Sequence, residues 1–406
     1  MSNRNKATLV PKLRFPQYRG DGQWTVEVLS EVAEFVNEKI SLEKIELDNY
    51  VSTENILPDY SGVTRASKLP TTGSATRFRP NDTLVSNIRP YLKKVWFSNK
   101  DGGASNDVIV IRAKHKLLTQ YLPFLLKNDS FIDYVMTGAK GVKMPRGDID
   151  SMKKYPTFFP APSEQQKIAD CLSSLDELIS AQARKVDALR THKKGLMQQL
   201  FPREGETQPR LRFPEFRDAG KWEKMTLGKA ANFYNGRAYK QEELLEAGKY
   251  KVLRVGNFFT NNNWYHSNLE LDETKYCEDG DLLYAWSASF GPRVWRGEKT
   301  IYHYRIWKVV EQSGIDKQFL FIVLEHETER MKAKTTNGLG IMHITKGAIE
   351  SWESTFPGIA EQKKIAERLM NLDGAISTGT RKIELLTGHK KGLMQQLFPS
   401  FDDIKI

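Results

Sequence analysis

The sequence is poor in cysteine and has no long apolar stretch. Its 406 residues include only two cysteines, Cys171 and Cys277, which excludes a disulfide framework and fits a reducing compartment. Nowhere does an apolar run approach the length of a transmembrane helix, and the N-terminus lacks the apolar core of a signal peptide. We therefore expect a cytoplasmic protein with no membrane partner.

Catalytic signatures are also missing. The chain has no Gly-x-x-x-x-Gly-Lys-Ser/Thr phosphate loop and no His-Glu-x-x-His motif. The nearest string to the base-holding loop of an amino-methyltransferase, Asn87-Ile-Arg-Pro-Tyr91, lacks the first of its two prolines. These absences predict a chain that is not itself an enzyme and holds no metal or cofactor.

What the sequence has is positive charge and a long internal repeat. The net charge of +11 favours a polyanionic partner, although a merely basic protein would show it too. Residues 192–202, His-Lys-Lys-Gly-Leu-Met-Gln-Gln-Leu-Phe-Pro, recur letter for letter at 389–399. This spacing of about half the chain is too long for a solenoid or propeller, whose repeats run to about 50 residues.

The repeat is constant at the ends of each unit and variable in the middle. Leu13-Arg-Phe-Pro matches Leu211-Arg-Phe-Pro, and Glu164-Gln-Gln-Lys-Ile-Ala matches Glu361-Gln-Lys-Lys-Ile-Ala, while residues 25–140 and 223–335 share only scattered landmarks. The matching end motifs and the variable middles predict four parts: a first globular domain at 1–157, a first long helix at 158–202, a second globular domain at 203–356 and a second long helix at 357–400. The expected fold class is α+β with a pseudo-twofold internal repeat.

Within the first domain, the pattern predicts a strand at 107–112 and a helix at 117–135 interrupted at Pro123. Ser163 and Gln166 are spaced as a capping box at the start of the first long helix. Both long helices carry apolar residues at alternating spacings of four and three, the pattern of a coiled-coil seam. The predicted seam residues are Ile168, Leu172, Leu175, Ile179, Val186, Leu189 and Leu196, and Ile365, Leu369, Leu372, Ile376, Ile383, Leu386 and Leu393.

Each helix can bury its apolar seam by packing on the seam of the other helix. Parallel packing would place Lys193 against Lys390 within an apolar layer, whereas antiparallel packing separates the two charges. We therefore predict that the helices pack as an antiparallel coiled coil with a globular domain near each end. The alternative is that each helix packs on the core of its own domain.

Two divergent globular regions, each opening on Leu-Arg-Phe-Pro and Trp24 or Trp222 and each followed by Glu-Gln-x-Lys-Ile-Ala and the eleven-residue repeat, resemble the specificity subunit of type I restriction-modification systems. The resemblance covers essentially the whole chain and implies a non-catalytic subunit that recognises double-stranded DNA. Each globular region would be a target recognition domain that reads one half of a bipartite site. The helices would fix the gap and dock two modification (methyltransferase) subunits, and restriction subunits would complete the complex. S-adenosylmethionine, ATP and Mg²⁺ would then act in those partner subunits.

Candidate DNA-binding residues are those suited to base edges and phosphates, chiefly Arg, Asn and Lys near aromatic or Gly-rich segments. In the first domain they are Asn87, Arg89, Tyr91, Lys93, Lys94, Lys140, Lys143 and Arg146. In the second they are Trp286, Ser287, Arg293, Arg296, Lys334, Asn337, His343 and Lys346. Solvated surface charge and core aromatics are the alternative explanation for any one of them. For the whole chain, the alternatives are a coiled-coil protein-interaction scaffold with basic domains and a nucleic-acid enzyme with an unfamiliar site.

Overall fold

A computed structural model describes residues 10–259, 262–287, 290–335 and 343–399. The chain divides into two compact units, Met1–Ala183 with Arg381–Ile406, and Arg184–Thr380. Both divisions fall inside long helices rather than at their ends, so each unit combines one globular domain with part of each helix.

The first domain consists of ten short strands and four short helices, followed by the first long helix. They are β1 (Thr25–Val28), α1 (Leu29–Val32), β2 (Ala33–Phe35), β3 (Lys39–Ser41), β4 (Tyr50–Val51), β5 (Ser74–Phe78), β6 (Thr83–Ser86), β7 (Val95–Phe97), β8 (Gly102–Ala104), β9 (Val108–Ala113), α2 (Leu122–Leu126), α3 (Asp129–Thr137), α4 (Ile149–Lys153), β10 (Pro156–Phe159) and α5 (Pro162–Leu200).

In its described residues the second domain likewise contains ten short strands and four α-helices, of which α8 is longer than the others, and it ends in the second long helix. Its elements are β11 (Glu223–Thr226), α6 (Leu227–Ala230), β12 (Ala231–Asn235), β13 (Tyr250–Leu253), α7 (Val255–Phe259), β14 (Tyr265–Ser267), β15 (Tyr276–Cys277), β16 (Leu282–Ala285), β17 (Gly291–Val294), β18 (Thr300–Tyr302), β19 (Ile306–Glu311), α8 (Lys317–Thr335), α9 (Lys346–Ser351), β20 (Glu353–Phe356) and α10 (Ile359–Leu397).

The sheets of the two domains correspond despite their divergent sequences. A two-stranded sheet, β1–β10 or β11–β20, joins the start of each domain to its end. An antiparallel four-stranded sheet has the order β2-β9-β6-β7 in the first domain and β12-β19-β16-β17 in the second. The inner strands β6 and β16 are buried along their whole length, which explains why β16, Leu-Leu-Tyr-Ala, lacks the alternating pattern of a half-exposed strand.

The remaining sheet differs in one strand. In the first domain β8 lies between parallel β4 and antiparallel β5, and in the second β18 lies between parallel β13 and antiparallel β15. The fourth strand pairs with opposite edges of this common core, because β3 joins β5 whereas β14 joins β13. The two domains are therefore variants of one frame.

The long helices α5 and α10 contain 39 residues each. All fourteen predicted seam residues are buried or half-buried, whereas Leu178 and Leu385 lie on exposed faces. In the first unit Lys390 of α10 donates to Asp176 of α5 at 2.6 Å, while Leu397 shares a core with Leu172, which precedes Asp176. In the second unit Lys193 of α5 donates to Asp373 of α10 at 2.7 Å, while Leu200 shares a core with Leu369, which precedes Asp373. Within each unit the two helices therefore run antiparallel, as the sequence predicts.

Each seam lysine has an acidic partner that the sequence analysis did not identify. Burial lowers the pKa of Lys193, but its hydrogen bond to Asp373 and the charge of Glu325 outweigh burial, so that the pKa is raised. Burial also raises the pKa of Glu325. A lysine is therefore tolerated in this partly apolar layer because carboxylates neutralise it.

Two local predictions were wrong. Pro123 does not interrupt a helix but lies in the first turn of α2, where its missing amide proton costs nothing, and the break comes at Asn128, which caps α3 through its side chain. The helix α5 begins at Pro162, and the amides of Glu164 and Gln165 donate to the Ala161 carbonyl. Ser163 is therefore inside the first turn rather than at the N-cap, and no capping box forms.

The repeated end motifs form the same contacts in both units. Arg14 donates through two nitrogens to Glu164 of α5 at 2.8 and 2.6 Å, and Arg212 donates likewise to Glu361 of α10. The Phe398 ring packs edge-on against Trp24 in the first unit. The Phe201 and Trp222 rings pack in the same way in the second unit. The constant motifs therefore attach each domain to the helices.

Among the described residues, no helix is long and apolar enough to cross a membrane.

Candidate nucleic-acid interface

In the first domain, two candidate stretches meet at one end of the β6–β9 pair. Ile88, two residues beyond β6, forms an isolated antiparallel bridge with Arg146, and the Arg89 amide donates to the Pro145 carbonyl at 2.8 Å. Arg146 in turn bridges Lys140 across a short turn. The structure thus brings together stretches that were predicted separately.

Arg146 makes an ion pair that the sequence analysis missed. Its Nη2 donates to Asp107 Oδ1 at 2.6 Å, and the side chains of Arg146 and Asp107 are 57% and 42% exposed. Asp107 immediately precedes β9, and its carbonyl accepts from the Asn87 amide at 2.8 Å. A charged residue directly before a four-residue apolar run was the available signal.

Asn87 lies beneath this surface rather than on it. Its side chain is 5% exposed, and Oδ1 is buried without a hydrogen-bond partner. Gly147 packs against it so closely that a Cβ there would lie 2.8 Å from Asn87 Oδ1 and 2.4 Å from Met152 Cε. The site therefore requires glycine, and this geometry favours a supporting role for Asn87.

The other candidates of the first domain are of two kinds: lysines that pair with groups of the protein itself, and exposed side chains. Lys93 pairs with Asp129 at 2.5 Å, Lys94 donates to the Thr53 carbonyl, and Lys140 pairs with Asp148. Burial, followed by the charge of Arg89, lowers the pKa of Lys94. The side chains of Arg89, Tyr91 and Lys143 are exposed and are accessible to a DNA partner.

In the second domain, Trp286, Ser287 and His343 come together. Ser287 bridges His343, and the Ile344 amide donates to the Trp286 carbonyl at 3.1 Å. The Trp286 ring stacks on the buried Trp307, with centroids 6.0 Å apart and planes at 20°. Of the two bridged residues, Ser287 is 3% exposed and His343 is exposed, so the His343 side chain is the one accessible to solvent.

Two further residues at this place were missed. Arg305 precedes β19, its carbonyl accepts from the Trp286 amide, and its Nε donates to Tyr304 Oη at 3.2 Å. Both side chains are exposed. Burial, then the charges of Arg305 and Arg254, lower the pKa of nearby His303 to about 4, so His303 is neutral near pH 7. The Tyr-Arg pair before an apolar strand was the overlooked signal.

The remaining candidates of the second domain lie elsewhere. Arg296 pairs with Asp279 beyond the Leu282 end of the β16–β17 pair, opposite the end that leads to Trp286. Lys346 pairs with Glu350 within α9. Lys334 lies in α8, and Asn337 lies outside the described residues.

Arg293 lies in an open cleft rather than beside Trp286. Its guanidinium is 4.7 Å from the centre of the Phe259 ring, and the cleft, of about 1140 Å³, is also lined by Arg190, Lys193 and Lys194. The lining also contains Glu325, Glu329 and Asp373, and two of these carboxylates pair with Lys193, so the charge of the cleft is mixed.

Within the part of the chain that the structure describes, no group of three or more His, Cys, Asp or Glu side chains is arranged to hold a metal ion.

Comparison with known proteins gives a consistent family assignment. The model of the type I restriction modification DNA specificity domain matches twice, at residues 22–190 and 219–387. The MjaVIII specificity subunit of a type I restriction enzyme from Methanocaldococcus jannaschii is 27% identical over 320 residues, 74% of each chain. The EcoBI specificity subunit from Escherichia coli is 22% identical over 165 residues, 40% of this chain and 35% of the relative.

Solved structures show the same fold. The type I restriction-modification S subunit from M. genitalium has a TM-score of 0.61 at 18% identity, over 97% of this chain and all of that one. A chain from a structural study of complex assembly in a type I restriction-modification system has a TM-score of 0.56 at 16% identity, over 93% and 98%. Both matched segments, with their shared sheet frame and terminal helices, establish that this chain belongs to the family of type I restriction-modification DNA specificity subunits.

Proposed function

We propose that each globular domain reads one half of a bipartite duplex-DNA target, and that the chain contributes recognition rather than catalysis. The observation that carries this proposal is that two corresponding sheet frames present different exposed side chains at the same place. Arg146 with Asp107 occupies that place in the first domain, and Arg305 with His343 in the second. One scaffold with two side-chain sets is suited to reading two different sequences.

The paired helices would fix the gap between the half-sites. A continuous 39-residue helix is about 58 Å long at about 1.5 Å per residue, which exceeds one turn of B-DNA, about 34–36 Å. A spacer of that length would leave a gap of several base pairs unread. The lysine–carboxylate pairs of α5 and α10 support a single register, because a slip would leave each charge without its partner.

The same helices would dock two modification subunits, with restriction subunits completing the complex. Support for this proposal comes from the family match, which extends along both helices at residues 22–190 and 219–387; the singly exposed Leu178 and Leu385 are ordinary surface residues. In this assembly S-adenosylmethionine, ATP and Mg²⁺ would act in the partner subunits.

The test is selection of bound duplexes from a random DNA library by the complex of this chain with its cognate modification subunits. We expect a bipartite motif with a fixed gap. Exchanging residues 210–356 for the corresponding segment of another family member should change one half only. Removing one heptad from both helices should change the gap and preserve both halves.

The competing function is a coiled-coil scaffold whose basic domains are incidental. The salt dependence of duplex-DNA binding separates the two functions, because each phosphate that the protein neutralises makes the affinity for DNA fall more steeply with salt. The scaffold would be favoured if the complex selects no DNA motif and the chain binds its protein partners independently of salt.

A further inference from the structure

Three segments of the first domain converge on one backbone junction. The Asn87 amide donates to the Asp107 carbonyl, and the Asn87 carbonyl accepts from the Gly147 amide at 3.0 Å. Ile88 and Arg146 form the adjoining bridge. We call these five residues the first junction.

The second domain repeats this pattern with different residues. The Trp286 amide donates to the Arg305 carbonyl at 3.2 Å, and the Trp286 carbonyl accepts from the Ile344 amide at 3.1 Å. Ser287 and His343 form the adjoining bridge. These five residues are the second junction.

The strand register shows that the two junctions are equivalent. Ser86↔Val108 is the last pair of β6 with β9, and Ala285↔Ile306 is the last pair of β16 with β19. Each junction begins one residue beyond that pair. In each domain the third segment then enters a short helix, capped by the side chain of Asp148 or Thr345.

The exposed side chains at these equivalent positions have different chemistry. The residue directly before β9 is Asp107, and the residue directly before β19 is Arg305. The residue that forms the isolated bridge is Arg146 in the first domain and His343 in the second. Each junction therefore exposes one arginine, but on a different segment. The backbone frame is shared, and the placement of the guanidinium is not.

We propose, building on the bipartite-recognition function above, that Arg146 and Arg305 each specify one guanine in the half-site of their own domain. Asp107 and Tyr304 are the positioning residues that hold these guanidinium groups. Arginine is the side chain whose fork matches the O6 and N7 acceptors of guanine.

The hydrogen bonds leave each arginine able to make that contact. Asp107 accepts one hydrogen from Nη2 of Arg146, so the second Nη2 hydrogen, together with the parallel N–H of Nη1 or Nε, remains to form a fork. Tyr304 engages Arg305 through Nε, so both terminal nitrogens remain. Because fixing an arginine side chain costs rotamer freedom, a residue that already holds the guanidinium reduces the cost of binding.

The test uses arginine-to-lysine variants, which keep the charge and lose the fork. Duplex selection with the assembled complex should show that Arg146→Lys lowers the preference for guanine at one position about 10- to 100-fold. Arg305→Lys should do the same at one position of the other half-site. Affinity for non-specific duplex should stay within about twofold, because the charge toward phosphates is retained.

The matched control is an exposed arginine outside the junctions that also pairs with a carboxylate. Arg65→Lys, beside Asp48, should leave both motifs unchanged. Asp107→Asn should weaken the same guanine preference as Arg146→Lys, and the double variant should add nothing further. A merely structural role of Asp107 would instead lower binding to all sequences alike.

An unchanged motif in either lysine variant, a uniform loss at all positions, or altered preferences in both half-sites at once would overturn the assignment. These outcomes require that the wild-type complex selects a bipartite motif. Absence of any wild-type motif would instead refute the proposed function, a result separate from failure of the two arginines.

Discussion

Arg14→Ala should destabilise the first domain by about 3–5 kcal/mol, the cost of removing one partner of a buried ion pair. The Arg14 and Glu164 side chains are 7% and 2% exposed, so the mutation would leave a carboxylate buried without its cation. Arg14 Nη1 also donates to the Asp21 and Gly22 carbonyls, and these contacts would be lost as well. Glu164 lies in the first turn of α5, where the helix dipole offsets part of the cost.

The assay is urea unfolding combined with hydrogen exchange of segments from each domain. With a slope of about 2–3 kcal/mol per molar urea, the midpoint for the first domain should fall by roughly 1–2.5 M. Peptides covering β2 and β9 should exchange faster, while those covering β12 and β19 should not. Arg212→Ala should produce the converse pattern, because its pair with Glu361 is equally buried.

Two results would refute this reasoning. One is a loss below about 1 kcal/mol, the value of an exposed pair; the other is equal acceleration of exchange in both domains. Arg19→Ala is the control, since Arg19 is exposed in the same segment. Replacing Arg14 and Glu164 together by methionine should recover most of the stability, because an apolar pair of similar volume leaves no buried charge.

Two further predictions follow from charges in the second unit. Lys193→Glu should destabilise this unit by about 2–4 kcal/mol, because it places a third carboxylate beside Asp373 and Glu325; adding Asp373→Lys should restore much of the loss in thermal unfolding, and additive losses would contradict the pairing. His303 has its pKa depressed to about 4 in the folded state, against about 6.5 unfolded. Its contribution to stability is therefore present above about pH 6.5 and is lost as the pH falls toward 4. His303→Gln should reduce the slope of the free energy of unfolding, measured in urea, against pH over this range, and an unchanged slope would contradict the assignment.

The sequence predicted the long helices and their direction because their signals are local and duplicated. The seam pattern spans many turns, and Lys193 and Lys390 alone made parallel packing unfavourable. The acidic partners were missed because Asp176 and Asp373 lie outside the apolar positions that define the seam, and sequence spacing does not show which helix they face. Pro123 was misassigned because proline is compatible with the first turn of a helix as well as with its end.

The sheet frames were beyond sequence reasoning for a different reason. Most strands contain two to five residues, too few for a clear alternating pattern, and neighbours such as β2 and β9 are far apart in the chain. The candidate stretches 86–94 and 140–147 were chosen for composition, and their meeting at Ile88 and Arg146 could not be foreseen. That these side chains bind DNA stays a prediction.

The constant ends explain how the middle of each domain can vary. The first domain rests on Arg14 with Glu164 and on Trp24 with Phe398, which comes from the end of α10. The second domain rests on the matching contacts, including Phe201 from the end of α5. Because each attachment site combines the start of one repeat with the end of the other, both copies must keep the same sequence at both ends. Strands between those ends need only preserve the shared frame, so an edge strand can be added on either side, as β3 beside β5 and β14 beside β13 are, without disturbing the attachment.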